Sequence, residues 1–180
     1  MLLVVDNGSI YTQNLIDFLN EQKILFEKFS PYEIEIKSLE KFNSFILSGR
    51  RKNEKKINQI NSLIIKHSIQ NNKKLLGICY GAEILSLTLG GTIRKLETSQ
   101  KGNAEISIQS KNVLINEKIK VFESHGFEIS KLPDSLISIA NSKNCKYEII
   151  QYAGKLIFGT QFHPEMTADG KNLINKFCSL

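Results

Sequence analysis

The segment Gly77-Ile78-Cys79-Tyr80-Gly81 follows the strand-like run Lys74-Leu75-Leu76 and leads into Ala82-Glu83-Ile84-Leu85-Ser86-Leu87, a stretch of helical character. A cysteine between two closely spaced glycines, where a strand gives way to a helix, describes a sharp turn whose backbone tolerates only small neighbours. It also constrains the fold. A strand running straight into a helix is a βα unit, and such units build parallel sheets covered by helices, with reactive loops at the carboxyl edge of the strands. The helix N-terminus offers unpaired N–H groups and partial positive charge, which predicts an environment favouring thiolate and able to hold an oxyanion. Taken alone, Gly-x-Cys-x-Gly equally describes a buried cysteine in a tight turn.

A second feature gives the turn a chemical partner. Residues 156–162 read as a strand, followed at once by His163-Pro164-Glu165. Cys79, His163 and Glu165 supply the three residue types of a thiol triad: nucleophile, imidazole base and orienting acid. Pro164 fixes its own φ and keeps the His163 backbone extended, so the two side chains it separates have a reproducible spacing. His-Pro-Glu alone is most often a surface turn; its weight comes from the pairing with the cysteine turn.

The first half of the chain alternates strand and helix, with strands at residues 2–5, 24–29, 44–47 and 74–78 and helices at about 10–22, 54–70 and 82–89. Further short strands are read at 104–109, 113–115, 136–140 and 147–152, with a last helix at 168–178. The expected fold class is α/β, a mostly parallel central sheet flanked by helices with an added antiparallel section. No Pro/Ser-rich linker or internal repeat divides the 180 residues, so one domain over residues 1–180 is expected. The opening apolar run stops at Asp6, and no later run approaches the roughly 20 residues of a spanning helix; a cytoplasmic protein with no membrane partner is expected. Cys79, Cys145 and Cys178 are odd in number and widely spaced, which fits neither a metal cluster nor a disulfide framework.

The net charge of +6 gathers around Arg50-Arg51-Lys52 and Lys55-Lys56. No aromatic interleaving accompanies the run, so the reading is a solvated basic face without nucleic acid, the functional alternative being a dock for an acidic protein surface. Gly90-Gly91 lacks the Lys-Ser/Thr of a phosphate loop and reads as a helix cap. His67, in a basic helix, reads as solvent-facing.

These motifs, in this order, resemble the class I, triad-type glutamine amidotransferases, flavodoxin-like domains that hydrolyse glutamine to glutamate and ammonia. The resemblance spans nearly the whole chain. It includes Val4-Val5-Asp6-Asn7-Gly8-Ser9 at the start, Ile46-Leu47-Ser48-Gly49, the cysteine turn, and Phe162-His163-Pro164-Glu165. Within the family, Asp6 to Gln13, Tyr80 after the cysteine and Ser124-His125-Gly126 most resemble the amidotransferase part of GMP synthetase. Chorismate-using relatives, such as anthranilate and aminodeoxychorismate synthases, rank second.

The resemblance implies Cys79, His163 and Glu165 as catalytic residues. It implies oxyanion N–H groups from Tyr80 and from Gly49 or Arg50, and a substrate side formed by Glu83, Ser124 and His125. It further implies glutamine as substrate, no metal or cofactor in this chain, and a separate synthetase subunit carrying ATP and Mg, which for the GMP pathway would adenylate XMP and accept the ammonia. Three positions depart from the family pattern: Ser48-Gly49-Arg50-Arg51 replaces Ser-Gly-Gly-Pro, Glu83 replaces a glutamine, and Phe127 stands where an acidic residue often follows Ser-His-Gly. Replacing glycine by Arg50 restricts φ. A weakened regulatory module of the same fold and a different cysteine hydrolase remain the alternatives.

Overall fold

The computed structural model describes residues 1–180. Nine strands form one sheet, β1 (Leu2–Val5), β2 (Phe26–Phe29), β3 (Ser44–Leu47), β4 (Lys74–Ile78), β5 (Thr92–Ile108), β6 (Ile119–Lys131), β7 (Leu136–Asn141), β8 (Ile149–Tyr152) and β9 (Ile157–Thr160), in the order β2-β1-β3-β4-β9-β8-β7-β5-β6. The first five in that order run parallel and the remaining pairings are antiparallel. The expected α/β architecture, a parallel section with an added antiparallel section, is found as one mixed sheet in which parallel and antiparallel pairings are equal in number.

Helices α1 (Thr12–Glu21) and α4 (Ala168–Ser179) cover one face, and α2 (Lys55–Gln70) and α3 (Tyr80–Thr88) the other. The two-residue period of β1 divides its side chains between these layers. Leu2 and Val4 join Leu15, Phe18 and Leu19 of α1 and Leu173, Ile174 and Phe177 of α4, whereas Leu3 and Val5 join Ile57, Ile64 and Ile65 of α2 and Ile84 and Leu85 of α3. Leu15, Phe18 and Leu19 stand three and four apart, the spacing of one helical face.

Several readings of the sequence need correction, among them the strands read at 147–152 and 156–162, which are shortened to Ile149–Tyr152 and Ile157–Thr160. Residues 113–115 form no strand: the Asn112 side chain accepts from the backbone N–H groups of Leu114 and Ile115 (2.8 and 2.9 Å), making a turn that buries Leu114 and Ile115. β2 starts two residues late because the chain leaves α1 through Lys23 at φ 55°, with the Ile24 N–H bonded to the Leu19 carbonyl, a left-handed helix cap. The largest difference is the long β5–β6 hairpin, of which the sequence showed only the end of β5. The inward face of β6 reads Ile119, Val121, Glu123, His125, so buried polar groups interrupt the apolar alternation that marks a strand.

Gly90 follows α3 at φ 96°, with the Gly91 N–H bonded to the Ser86 carbonyl, the helix cap expected at that place. No helix is long and apolar enough to cross a membrane.

Candidate active site

Four loops meet at the carboxyl edge of the parallel strands. The first two are stitched together. Asn7, after β1, donates from its backbone to Ser48 Oγ (2.9 Å) and from its side chain to the Ser48 carbonyl (3.0 Å), and Gly8 and Arg50 form an antiparallel bridge. The other two leave neighbouring strands, since β4 and β9 pair in parallel with Ile78 beside Thr160. Cys79 therefore emerges next to the chain that carries His163.

Cys79 takes φ 52° and ψ −102°, a conformation that a non-glycine residue holds only when its surroundings impose it. Its N–H is bonded to the Thr160 carbonyl (2.7 Å), and its carbonyl accepts from Ala82 and Glu83 (both 3.0 Å), so strand β9 and helix α3 grip it from both sides. The flanking glycines allow this close packing. A Cβ on Gly77 would overlap the Gly81 carbonyl group, and one on Gly81 would overlap the Leu47 carbonyl oxygen. Gly81→Ala is expected to cost about 3 kcal/mol, the range of overpacking against rigid backbone, read as a lower denaturant midpoint with an unchanged slope.

His163 is held by its N–H on the Phe122 carbonyl (2.9 Å), and its Nδ1 lies 2.9 Å from Glu165 Oε1. Glu165 sits in a one-turn 3-10 helix, Pro164–Met166, with proline at the first position. With Nδ1 donating to the carboxylate, the neutral imidazole keeps its lone pair on Nε2, the arrangement a base requires. Both side chains are buried. The Tyr11 ring packs on the imidazole at 4.6 Å between centroids, and a Cβ on Gly49 would stand 3.0 Å from His163 Cε1, so a side chain there would press on the ring.

The thiol does not follow the expectation drawn from the helix terminus. Burial pushes the Cys79 thiol well above its ordinary pKa, with Glu83, Glu165 and Glu123 adding to the rise and the Tyr80 backbone N–H opposing it. A buried sulfur near three carboxylates rests as the neutral thiol, and needs a base to become nucleophilic.

Arg50 is not strained, since it is absent from the positive-φ positions, where Cys79, Lys23 and Asn72 are the non-glycine residues. Its guanidinium instead lies over the Tyr80 ring at 4.1 Å and donates to Asn53 (2.7 Å) and Asn58 (3.0 Å), while the Tyr80 hydroxyl donates to Asn58 (2.7 Å). The loop that departs from the glycine pattern is thereby pinned to the residue following Cys79. Arg51, Lys52, Lys55 and Lys56 face solvent, as the basic run implied.

On the opposite wall, Glu83 is buried one helical turn beyond Cys79, and Gln161 Nε2 lies 3.4 Å from its Oε1. Burial raises the Glu83 pKa, opposed by the Gln161 hydrogen bond and by the charges of Arg50, His125 and His163. Ser124 accepts from the Tyr11 hydroxyl (3.1 Å). His125 is a buried strand residue of β6, with Nδ1 2.8 Å from the Phe127 carbonyl and Nε2 3.0 Å from Glu123 Oε2. Gln161 and Glu123 escaped the sequence reading. Each stands two residues before a histidine on a strand or its extension, and that shared-face spacing was the available signal.

His67 is not solvent-facing: its side chain is mostly buried, edge-on to Phe45 at 5.9 Å. Cys145 and Cys178 are free thiols outside the cysteine turn, Cys145 pushed up by burial and by the charge of Glu148, and Cys178 raised to about 11 by burial against the pull of Lys74.

Known proteins are similar to this chain over nearly its whole length. A glutamine-hydrolysing GMP synthase subunit from Thermoplasma acidophilum is 29% identical, with 99% of this chain and 92% of that protein aligned. The corresponding GMP synthase subunit from Thermococcus kodakarensis is 30% identical, over 100% and 98%. A GMP synthase from Hamiltonella defensa is 30% identical over 98% of this chain, which spans 36% of that longer protein. Among solved structures, a putative GMP synthase subunit from T. acidophilum superposes with a TM-score of 0.87 at 27% identity, covering 99% of this chain and 92% of the other. The fold recurs in a glutamine amidotransferase from Thermotoga maritima, with a TM-score of 0.77 at 20% identity over 97% and 80%. The family profile of class-I glutamine amidotransferases matches residues 3–179, from the second residue of β1 to the last of α4. A match that takes in every strand and helix of the sheet leaves no doubt of kinship, and the chain belongs to the glutamine amidotransferase class-I family.

Proposed function

We propose that residues 1–180 form one amidotransferase domain that hydrolyses glutamine to glutamate and ammonia through Cys79, His163 and Glu165, and passes the ammonia to a separate ATP- and Mg-dependent synthetase subunit that converts XMP to GMP in the cytoplasm. The observation that carries the reading is the strained Cys79 on the β4–α3 turn, beside a strand whose extension bears a His163–Glu165 pair at 2.9 Å. The relatives named as GMP synthase subunits support the pathway, because they match this chain over nearly their full length.

In this mechanism His163 Nε2 takes the Cys79 proton, and the thiolate adds to the side-chain amide carbon of glutamine. Negative charge moves to the amide oxygen, where N–H groups of Tyr80 and of Gly49 or Arg50 receive it; loss of one such donor costs on the order of a hundredfold in rate. The imidazolium returns its proton to the departing nitrogen, ammonia leaves, and a thioester remains. Water, activated by the same imidazole, releases glutamate and restores the thiol. Glu83 meets the α-ammonium of the substrate, while Ser124 and His125 shape the wall facing it. Ammonia is useful only before it is protonated and lost, which is why a synthetase partner is part of the reading.

The test is glutamate release measured with this chain alone and with a separate XMP-amidating synthetase subunit. GMP formed from glutamine in the mixture, with faster glutamate release than from the chain alone, is the expected result. Absence of glutamate in both would refute the reading, and glutamate without GMP would redirect the ammonia to another acceptor.

A further inference from the structure

Behind the Ser124–Phe127 segment lies a group of ionisable side chains whose charges glutamine hydrolysis does not call on. Glu123 and His125 point inward from β6, 3% and 6% exposed, and Glu148, fully buried, stands just before β8. The Glu148 backbone is locked in the sheet, its N–H on the Ala140 carbonyl (3.0 Å) and its carbonyl accepting from Gln161 (2.8 Å). Its carboxyl faces Glu123 and Glu128 of β6 and Ser142 and Cys145 of the preceding loop.

Charge balance in this pocket is decisive. Arg94 of β5 is committed to Glu128, with Nε 2.7 Å from Oε1. That leaves Glu123 and Glu148 with one available cation, His125, whose Nε2 is 3.0 Å from Glu123 Oε2. Neither the Glu148 nor the Glu123 oxygens are satisfied in full hydrogen-bonding geometry, the close His125–Glu123 contact being misaligned and the Ser142 hydroxyl standing beside Glu148. Two adjacent buried carboxylates that share a single cation cannot both stay ionised, because each uncompensated charge costs several kcal/mol. One of them therefore keeps a proton, and that proton is the missing donor between them.

We infer that Glu148, Glu123 and His125 act as one positioning unit for the substrate-side wall. Protonated Glu148 donates to Glu123, ionised Glu123 holds His125 as an imidazolium, and the imidazolium Nδ1–H fixes the Phe127 carbonyl. That carbonyl also accepts from Gln161 Nε2 (3.4 Å), the group that faces Glu83. The chain of contacts thus runs from Glu148, beside Gln161 in the sheet, to one helical turn from Cys79.

The titration directions agree. Burial and then the charge of Glu123 push Glu148 up to about 9 against the pull of the Ser142 hydroxyl, with the hydrogen bond to Glu123 and the charge of Glu128 adding to the rise. Burial pulls His125 down, but its hydrogen bond to Glu123 and the charges of Glu123 and Glu83, with the Phe127 carbonyl, outweigh that pull and leave its pKa raised. A carboxyl raised in the folded state contributes stability that is complete below its ordinary pKa and is lost progressively as pH rises to about 9.

The inference rests on the glutamine-hydrolysing reading of the site, so the experiment has one readout that does not. In the intact protein, with three histidines to assign, NMR of the imidazoles is expected to show His125 charged at neutral pH. Glu148→Gln, which keeps a donor but cannot ionise, should leave it charged, and Glu123→Gln should lower its pKa. In parallel, KM and kcat for glutamine are followed from neutral pH to beyond the Glu148 midpoint. Wild-type KM is expected to rise above about pH 9 with little change in kcat. Glu148→Gln should lose that rise and also the fall in thermal midpoint that the wild type shows as pH climbs toward about 9, and Glu123→Gln should raise KM about tenfold already at neutral pH, the loss of one charge-assisted contact. The substrate's own amino group titrates over part of this range in every variant, so the difference between proteins is what is read. A neutral His125 in the wild type, or a Glu148→Gln profile identical to wild type, would overturn the inference. Failure of every protein to release glutamate would instead overturn the reaction, and the His125 spectrum would then decide the unit alone.

Discussion

Cys79→Ala is expected to reduce glutamine hydrolysis to background, with kcat/KM falling roughly 10^6-fold, the loss that follows removal of the nucleophile from a catalytic triad. The size follows from the mechanism: without sulfur there is no thioester, and the remaining donors around the site have no addition product to stabilise. The fold should survive. Alanine fills the same turn with the same backbone demand, and the grips on residue 79 from Thr160, Ala82 and Glu83 are all main-chain hydrogen bonds. A coupled glutamate assay beside a denaturation curve separates the two effects. Cys178→Ala, remote from the turn and only partly buried, should hydrolyse glutamine at the wild-type rate.

Glu165→Gln carries the second largest effect, a fall in kcat of roughly 10^4-fold, as when a triad acid is replaced by its amide. Glu165 Oε1 now receives Nδ1–H of His163 at 2.9 Å, which leaves Nε2 as the basic atom. An amide can present its NH2 to the ring instead. The imidazole then carries its proton on Nε2, where the Cys79 proton must go, and the imidazolium loses its counter-charge. Because Cys79 is held as a neutral thiol by burial and by neighbouring carboxylates, activity depends on this base rather than on thiolate present at rest. Turnover should fall while KM for glutamine changes little, since Glu165 lies behind the imidazole; an equal loss in binding would contradict the assigned role.

The parts of this protein that were legible in its sequence are those whose cause is local. β1, β3 and β4 are apolar apart from Ser44 and Lys74 at the starts of β3 and β4, because both faces of a parallel strand are covered, and their ends match the sequence pattern. The cysteine turn was visible because close packing against Leu47 and between Gly77 and Gly81 forbids side chains at those places. What stayed hidden depends on distant partners. β6 did not look like a strand because Glu123 and His125 occupy its buried face, close to each other and to Glu148 from another part of the chain. The protonation of Cys79 was misjudged because the helix terminus is local, whereas the burial and the charges of Glu165 and Glu123 come from elsewhere in the fold. Arg50 looked like a constraint on φ and proved to be a side chain stacked on Tyr80, a contact that no spacing rule announces.

The most direct measurement is covalent trapping. The intact protein is incubated with a glutamine-mimicking thiol electrophile, with and without excess glutamine, and the adduct is located by peptide mass mapping. One adduct on Cys79, slowed by glutamine and absent in a His163→Ala variant, is the result expected of a thiol activated in place. Labelling of Cys145 or Cys178 instead, or labelling of Cys79 that neither glutamine nor the loss of His163 affects, would contradict it.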